Sequence, residues 1–285
     1  MKKIILAPNP LRDVGLAHTE RIRRRLETEG TTPLVFPLEY VSEERIEPVG
    51  RELKTLTEAL ADARLLVALG GDGTILHLAR IAAPYRVPIL TVNLGRKGFI
   101  AELEPEDVDE IAKIAVESSL QLEERMMINV TVTRDGATVY QGFALNDAVV
   151  KGVARLVDFA VFGDGHLISR FSGDGVVICT PTGSTAYSMA SGGPIIEPTA
   201  RNITVTPICA HALRAKSFVL APERTVTVQS TLEHGKQGFL SVDGSSFPLE
   251  DQDEVCVTRS RYVTRLVKAT GRSFYQIVNE KLGEN

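Results

Sequence analysis

The stretch Leu65-Leu66-Val67-Ala68-Leu69-Gly70-Gly71-Asp72-Gly73-Thr74 predicts a buried strand that runs into a glycine loop. Residues 75–81, which follow it, are typical of a helix. Glycines lack a Cβ, so backbone N–H groups can approach phosphate oxygens closely, and the following helix contributes its positive N-terminus. This order of strand, loop and helix predicts a polyphosphate-binding turn at the carboxyl end of a strand.

Asp72 lies inside this predicted phosphate loop, where its negative charge would repel a phosphate. A carboxylate in that place either holds Mg²⁺ or accepts a proton from an attacking hydroxyl, and both roles belong to phosphoryl transfer. The simpler interpretation is an ordinary Asp-Gly turn. Gly70 and Gly71 before it, at the end of a strand, favour the functional interpretation.

The loop differs from two common nucleotide-binding patterns. It lacks the Gly-x-x-x-x-Gly-Lys-Ser/Thr of a P-loop enzyme, and Gly73 is not followed by the last glycine of a dinucleotide fingerprint. A hydride-transfer dehydrogenase is therefore disfavoured.

Short apolar runs alternate with helical segments on both sides of this loop, up to about residue 118. Strands are predicted at 3–7, 34–36, 65–69 and 89–92, and a last helix at Pro105-Glu106-Asp107-Val108. This alternation favours a mostly parallel sheet. From about residue 120, runs rich in Val, Thr, Ile and Phe predict further strands at 127–134, 138–144, 157–162, 226–229 and 239–242. Hairpin turns are expected at Asp135-Gly136 and Asp164-Gly165, and residues 273–282 read as a helix.

Two domains are expected for 285 residues. Residues 1–118 are assigned to a Rossmann-like α/β domain that binds nucleotide or phosphate, completed by the C-terminal segment 265–285. Residues 119–264 are assigned to a β-sandwich-like domain, with a cleft between the two.

Composition and charge argue against several partners. A net charge of −4 without a basic face argues against nucleic acid, and the basic run 21–25 lies among glutamates on a predicted helix, as on a solvated face. No run approaches the ~20 apolar residues of a membrane span. The first apolar run stops at Pro8, too short for a signal peptide, and is interpreted as a strand. The cysteines form neither a disulfide framework nor a zinc pattern, so a reducing cytoplasm is expected; they are Cys179, Cys209 and Cys256.

A second motif joins an apolar strand to a hydroxyl-rich glycine turn: Asp174-Gly175-Val176-Val177-Ile178-Cys179-Thr180-Pro181-Thr182-Gly183-Ser184-Thr185-Ala186-Tyr187-Ser188. Its hydroxyls suit hydrogen bonding to a polar ligand, and Tyr187 can stack on a base or ring. A serine hydrolase is disfavoured because Ser184 lacks the second glycine of a Gly-x-Ser-x-Gly elbow.

In combination, these motifs resemble the NAD kinase family. The matching segments occur in the family's order across most of the chain: 70–74, 93–100, 145–147, 173–175, 180–188, 207–211 and 241–244. The glycine-Asp loop alone is shared with diacylglycerol, sphingosine and 6-phosphofructo kinases. The Thr-Pro-Thr-Gly-Ser-Thr-Ala-Tyr element is far more particular.

The resemblance implies transfer of the γ-phosphoryl of ATP to the 2′-hydroxyl of the adenosine ribose of NAD, giving NADP, with Mg²⁺ or another divalent cation. Asp72 would be the proton acceptor, and residues 119–264 would bind NAD. The other implied ligand contacts are Gly71, Gly73, Thr74, His77, Asn146, Asp147, Arg155, Asp174, Thr182, Thr185, Ala186, Tyr187, Ser188, Met189 and Ala190. For His77, a contact with phosphate and a purely structural role are equally compatible with the sequence. A homodimer or homotetramer is expected.

Two positions depart from the family's pattern. Asp147 stands where a Glu is usual, so its bond to the ligand needs a small backbone shift or a water. Ser172 stands where Lys or Arg is common, two residues before Asp174. A lipid or sugar kinase with the same loop, and a sensor that binds NAD without turnover, remain alternatives. ATP and polyphosphate are both compatible donors, and NAD and NADH both compatible acceptors.

Overall fold

The computed structural model describes residues 3–38, 40–42, 45–46, 51–95, 98–211, 215–232 and 235–283, with only the backbone for 40–42, 45–46 and 51–54. Arg96 and Lys97 of the segment 93–100 lie outside the described residues, as do the ends of the predicted domains at residues 1 and 285. The chain divides into two compact units. The first unit is Met1–Glu124 with Val263–Asn285, and the second unit is Arg125–Tyr262.

Strands and helices alternate along the first unit. Its strands are β1 (Lys3–Pro8), β2 (Leu34–Val35), β3 (Tyr40–Ser42), β4 (Arg45–Ile46), β5 (Ala63–Gly70) and β6 (Ile89–Asn93). Its helices before residue 125 are α1 (Ala17–Thr28), α2 (Arg51–Leu60), α3 (Asp72–Ala82) and α4 (Val108–Val116), with short 3₁₀ turns at Val14–Leu16 and Ala83–Tyr85. Helix α4 begins at Val108 and not at the predicted Pro105. Before it, Asp107 closes a turn by accepting the N–H of Glu104 at 2.9 Å.

The main sheet of the first unit is parallel. Its order is β2-β1-β5-β6, and Leu266 near the C-terminus pairs in parallel with Ile89 at the β6 side. Ile4 and Leu6 share a core with α1 and α4, while the alternate residue Ile5 is also fully buried, so both faces are covered. Because carboxyl ends of parallel strands share one edge, β1, β5 and β6 all deliver their following residues to that edge.

The second unit is built almost entirely of strands. The strands that lie in it wholly or for most of their length are β7 (Leu122–Arg134), β8 (Ala137–Ala144), β9 (Asp147–Val153), β10 (Val157–Gly163), β11 (His166–Gly173), β12 (Gly175–Cys179), β13 (Ile203–Ile208), β14 (Phe218–Leu220), β15 (Val226–Thr231), β16 (Gln237–Val242), β17 (Ser245–Leu249) and β18 (Glu254–Val267). A 3₁₀ turn at Thr182–Thr185 precedes the short helix α5 (Tyr187–Ala190), and helix α6 (Phe274–Leu282) ends the first unit.

Two antiparallel sheets enclose one core in the second unit. One sheet has the order β14-β13-β12-β9-β16-β17. The other joins β11, β10, β15 and β18, with β7 beside β18 and β8 beside β7. Val150 and Val176 from the first sheet meet Val130, Phe159 and Val228 from the other in this core. The predicted fold class, a parallel α/β domain followed by an antiparallel β-sandwich-like domain, is confirmed.

Asp-Gly pairs form three tight hairpin turns in this unit. Both residues of each pair have positive φ, as in type I′ turns: 49° and 76° at Asp135-Gly136, 49° and 79° at Asp164-Gly165, and 45° and 86° at Asp243-Gly244. The first two turns were expected from the sequence and are confirmed. The third turn follows β16, and its Asp243 accepts hydrogen bonds from the backbone of residues 145–147.

The basic run 21–25 lies on α1, where it forms ion pairs along the helix. Arg23 bonds Glu20 at 2.7 Å and Arg25 bonds Glu29 at 2.5 Å, which confirms the predicted solvated face. Among the described helices, none combines the length and apolar character needed to cross a membrane.

Candidate active site

The glycine loop lies at the carboxyl edge of the parallel sheet, anchored to its neighbouring strand. β5 ends at Gly70 and α3 opens at Asp72. Gly70 has no room for a side chain, because a Cβ there would overlap Thr74. The buried Thr74 hydroxyl accepts a hydrogen bond from the side-chain amide of Asn9 at 3.0 Å, and the Asn9 N–H bonds the carbonyl of Leu69 at 2.8 Å. Asn9 therefore holds the loop from the end of β1, a role that the sequence did not signal.

The carboxylate of Asp72 packs against the segment that follows β6. Its Oδ2 accepts the N–H of Phe99 at 3.0 Å, and a Cβ on Gly98 would overlap this carboxylate. Burial raises the pKa of Asp72, while the N–H groups of Phe99 and Ile100 and the charge of Lys281 act in the opposite direction. Its Oδ1 is buried and finds no hydrogen-bond partner among the residues that the structure describes. This oxygen has lone pairs left for a proton or a cation.

Helix α6 brings a cation to the same edge. It begins with a capping box in which Ser273 and Gln276 satisfy each other's backbone N–H groups. At its other end, the Lys281 Nζ lies 5.7 Å from the centroid of the Phe99 ring. A cavity of about 60 Å³ lies beside this contact, lined by Asn93, Gly98, Ala101, Glu104, Arg272, Ile277, Glu280 and Lys281. Sequence reasoning missed Lys281, because a lysine in a terminal helix carries no local signal.

Asn93 presents a second acceptor without a partner at this edge. Its side chain is 3% exposed and donates to the carbonyl of Gly95 at 3.1 Å and to Glu104 at 3.2 Å. Within the described ranges its Oδ1 has no hydrogen-bond donor. The edge thus carries two buried oxygens that a ligand can use.

His77 lies on α3, one turn beyond the loop. Burial, and next the charge of Arg80, lower its pKa to about 4, so it is a neutral imidazole at pH 7. Its Nε2 is buried without a partner in the described part of the chain. As placed, His77 offers a hydrogen bond but no positive charge to a phosphate.

Asp147 and Tyr187, two of the ligand contacts implied for the second unit, lie on one face of the six-stranded sheet. On β9, Ala148 and Val150 face the sandwich core, so Asp147, Val149 and Lys151 face the opposite way. There Val149 packs with Val177, Cys179 and Ile208, and Tyr187 covers this small cluster. The Lys151 Nζ lies 5.9 Å from the centroid of the Tyr187 ring. Lys151 was not among the candidates taken from the sequence, because the sheet face on which its side chain lies depends on the register of β9.

Asn146 and Asp147 form a buried corner at one end of this face. They are 9% and 8% exposed. Burial, and next the charge of Asp243, raise the pKa of Asp147 to about 7. No described group hydrogen-bonds the buried Oδ1 of Asn146. The Asn146 side chain is thus held with an acceptor that no described group uses.

The hydroxyl-rich loop after β12 uses most of its hydroxyls internally. Ser184 bonds the carbonyl of Pro181 at 2.7 Å, Thr185 that of Thr182 at 3.3 Å, and Ser188 the hydroxyl of Thr206 at 3.1 Å. Thr182 accepts from Arg125 at 3.4 Å. Ala186, Tyr187, Met189 and Ala190 are the more exposed members. The hydroxyls therefore fix the shape of the loop, which presents mainly apolar groups and backbone.

Asp174 and Arg155 lie near the opposite end of β9 and β12. The Asp174 carbonyl accepts the N–H of Gly152 at 2.9 Å, beyond the end of β12 that is remote from Asn146. The five residues of β12 place Asp174 roughly 17 Å from the corner. Arg155 is exposed in the β9–β10 turn, and the hydroxyl of Ser172 bonds Asp158. Within the second unit, the candidates thus form two groups near the two ends of β9 and β12.

Together, the parallel sheet, the glycine loop at a helix N-terminus and the attached β sandwich define a phosphate-binding α/β protein. Within that class, the chain belongs to the NAD kinase family. The ATP-NAD kinase N-terminal domain matches residues 18–120, and the ATP-NAD kinase C-terminal domain matches residues 146–269.

Relatives match over the whole chain. The NAD kinase of Symbiobacterium thermophilum is 39% identical over 99% of each chain, and that of Natranaerobius thermophilus is 36% identical over 99% of this chain and 98% of its own. Yeast NADH kinase, solved with NADH, has a TM-score of 0.82 at 24% identity and covers 100% of this chain and 88% of its own. An Archaeoglobus fulgidus NAD kinase, solved with ATP, has a TM-score of 0.73 at 23% identity, with 99% of each chain covered. The resemblance inferred from the motifs is confirmed.

Proposed function

We propose that this chain phosphorylates NAD to NADP, with the γ-phosphoryl of ATP passing to the 2′-hydroxyl of the adenosine ribose. The observation that carries the proposal is the buried Asp72 carboxylate, with an unpartnered Oδ1 among the described residues, at the N-terminus of α3. Membership of the NAD kinase family supports it, as do relatives that are named NAD kinase.

Asp72 acts as the general base in this proposal. Phosphoryl transfer needs the attacking hydroxyl in line with the phosphorus, and little covalent chemistry from the protein. A carboxylate whose pKa is raised by burial accepts a proton more readily, and the Phe99 N–H fixes its orientation at 3.0 Å. Gly71 and Gly73 would place backbone N–H groups at the start of α3 against phosphate oxygens. Thr74, whose N–H donates to the Gly71 carbonyl at 2.9 Å, would meet the phosphates through its side chain.

NAD would bind along the described face of β9 and β12. Asn146 and Asp147 would bond one end of the dinucleotide, and Tyr187 would pack against a ring. Asp174 and Arg155 would meet the other end, roughly 17 Å away by strand geometry, a span that suits an extended dinucleotide. The loop residues implied by the resemblance would line the ligand between them: Thr182, Thr185, Ala186, Ser188, Met189 and Ala190. On this proposal the first unit binds phosphates and the second unit binds NAD.

The residues present fit a divalent cation. Mg²⁺ prefers oxygen ligands, and the buried Oδ1 of Asp72 is a carboxylate oxygen without a partner in the described ranges. When bound with ATP, Mg²⁺ would neutralise charge on the phosphates. Asp72 would hold the ion through a water, so that its carboxylate still accepts the proton of the attacking hydroxyl.

We also propose a cytoplasmic homo-oligomer. Three free cysteines suit a reducing compartment: Cys179, Cys209 and Cys256. β14 and β17 form the edges of the six-stranded sheet, where a second copy of the chain can add. Size-exclusion chromatography with light scattering would test the oligomer, and a monomer at micromolar concentration would contradict it.

The reaction is tested by incubating the purified chain with NAD, ATP and Mg²⁺ and measuring NADP with an NADP-specific dehydrogenase. Reactions without ATP, with polyphosphate in its place, and with 2′-deoxyadenosine NAD are the controls. We expect NADP only when a phosphoryl donor and the 2′-hydroxyl are both present. NAD binding without NADP formation would favour the sensor, and ATP consumption stimulated by lipids or sugars would favour another kinase.

A further inference from the structure

Three consecutive backbone N–H groups converge on the carboxylate of Asp243. The Leu145 N–H donates to Oδ2 at 2.7 Å, and those of Asn146 and Asp147 donate to Oδ1 at 2.9 and 3.1 Å. Successive N–H groups around an anion form a backbone nest. From the turn between β16 and β17, Asp243 thus reaches the corner at which β9 begins.

Every backbone polar group of this corner, residues 145–147, has a partner. The carbonyl of Leu145 accepts the Thr180 hydroxyl at 2.5 Å, and the carbonyl of Asn146 accepts the Thr180 N–H at 2.9 Å. The carbonyl of Asp147 accepts the N–H of Asp243 at 3.1 Å. A fully paired backbone is held in one conformation. The side-chain Oδ1 of Asn146 differs from these backbone groups, because nothing in the described structure bonds it.

We infer that Asp243 is a positioning residue for NAD binding, holding the corner so that the side chains of Asn146 and Asp147 meet the dinucleotide. The inference rests on the proposed function, in which those two side chains contact NAD. Asp243 acts through the backbone of the corner and touches no substrate.

Asp243 also acts on Asp147 through its charge. Burial, and next the charge of Asp243, raise the pKa of Asp147 to about 7. Cys179 faces Asp147 from β12, and its pKa is raised to about 12 mainly by burial, so it stays a neutral thiol. Lys151 lies on the same face of β9, four residues along the strand from Asp147. A protonated Asp147 can donate a hydrogen bond, whereas an ionised one only accepts. The charge of Asp243 therefore influences whether NAD meets a protonated or an ionised Asp147 near neutral pH.

The test compares Asp243→Asn with the matched control Asp164→Asn. Asp164 occupies the same kind of Asp-Gly turn, and its carboxylate accepts the N–H of Thr225 at 2.9 Å and pairs with Arg224 at 2.8 Å. It lies between β10 and β11, outside the corner. The Kd for NAD is measured by calorimetry across neutral pH, together with the Kd for ATP and the melting temperature.

In Asp243→Asn an amide group faces the backbone donors, so we expect the Kd for NAD to rise by about tenfold or more, with the Kd for ATP within about twofold. The pH midpoint of NAD binding should fall, because the like charge beside Asp147 is gone. Amides 145–147 should also exchange hydrogen faster. The control variant should leave both Kd values, the pH midpoint and the amide exchange rates at wild-type values.

Wild-type NAD affinity and an unmoved midpoint in Asp243→Asn would show that Asp243 only closes its turn, and would overturn the inference. If the wild-type protein itself fails to bind NAD, the proposed function fails, which is a separate result. Should the Asn variant not fold, Asp243→Ser is measured in the same way, because its hydroxyl can still accept one of the N–H groups.

Discussion

Replacing Asp147 by Asn should change how stability depends on pH. In the folded protein burial, and next Asp243, raise the pKa of Asp147 from 3.8 to about 7. Between these values the folded chain keeps a proton that the unfolded chain has released. The free energy of unfolding therefore falls as pH rises through this window and levels off above about pH 7. The Asn side chain has a similar size and does not titrate, so the variant lacks this contribution.

The magnitude follows from the two pKa values. Each pH unit well inside the window lowers the free energy of unfolding by ~1.4 kcal/mol, so the Asp147 contribution falls by about 2.5 kcal/mol between about pH 5 and pH 8. Urea denaturation of the wild type and of Asp147→Asn at several pH values measures this difference directly. Asp158→Asn, which removes an exposed carboxylate from β10, is the control for loss of an aspartate in the same unit.

We expect Asp147→Asn to gain stability over the wild type as pH rises, and Asp158→Asn to run parallel to the wild type. A difference between wild type and Asp147→Asn that stays constant across this range would refute a buried, protonated Asp147.

Two other substitutions test the remaining parts of the site. Lys281→Met removes a charge that lowers the pKa of Asp72, so the acidic limb of the kcat profile should move to higher pH; an unmoved limb would exclude this coupling. Gly183→Ala places a Cβ against the backbone of Asn146, so the KM for NAD should rise at least about tenfold while the KM for ATP stays constant. Equal effects on both substrates would point to general unfolding.

Local patterns were sufficient for the parts of the site that follow one another in the chain. The strand, glycine loop and helix around Asp72 form one continuous segment, and their order fixes their geometry. Type I′ turns at Asp-Gly pairs are equally local. These features were predicted because the interactions that create them span only a few residues.

The supporting contacts were missed because they join distant segments. Asn9 bonds Thr74 across 65 residues, and Asp243 bonds Leu145 across 98. Neither side chain stands out locally, and only the sheet registers bring them together. Lys281 reaches the Asp72 loop only because α6 returns to the first unit.

Residue type also suggested more than the structure supports in the loop after β12. Serine and threonine hydroxyls there suited a polar ligand, but Ser184 and Ser188 are fully buried and bond to protein groups. A hydroxyl serves a backbone carbonyl as readily as a ligand, and the sequence does not distinguish the two.

In the proposed reaction, Asp72 takes the proton from the NAD ribose hydroxyl. The most direct measurement compares NADP formation and NAD binding in the wild type and in Asp72→Asn, on the same preparations. We predict that the variant keeps its melting temperature and its Kd for NAD, but turns over about 10² to 10⁴ times more slowly, the usual contribution of a positioned base. Near-normal turnover in Asp72→Asn would contradict the account and remove Asp72 from this role.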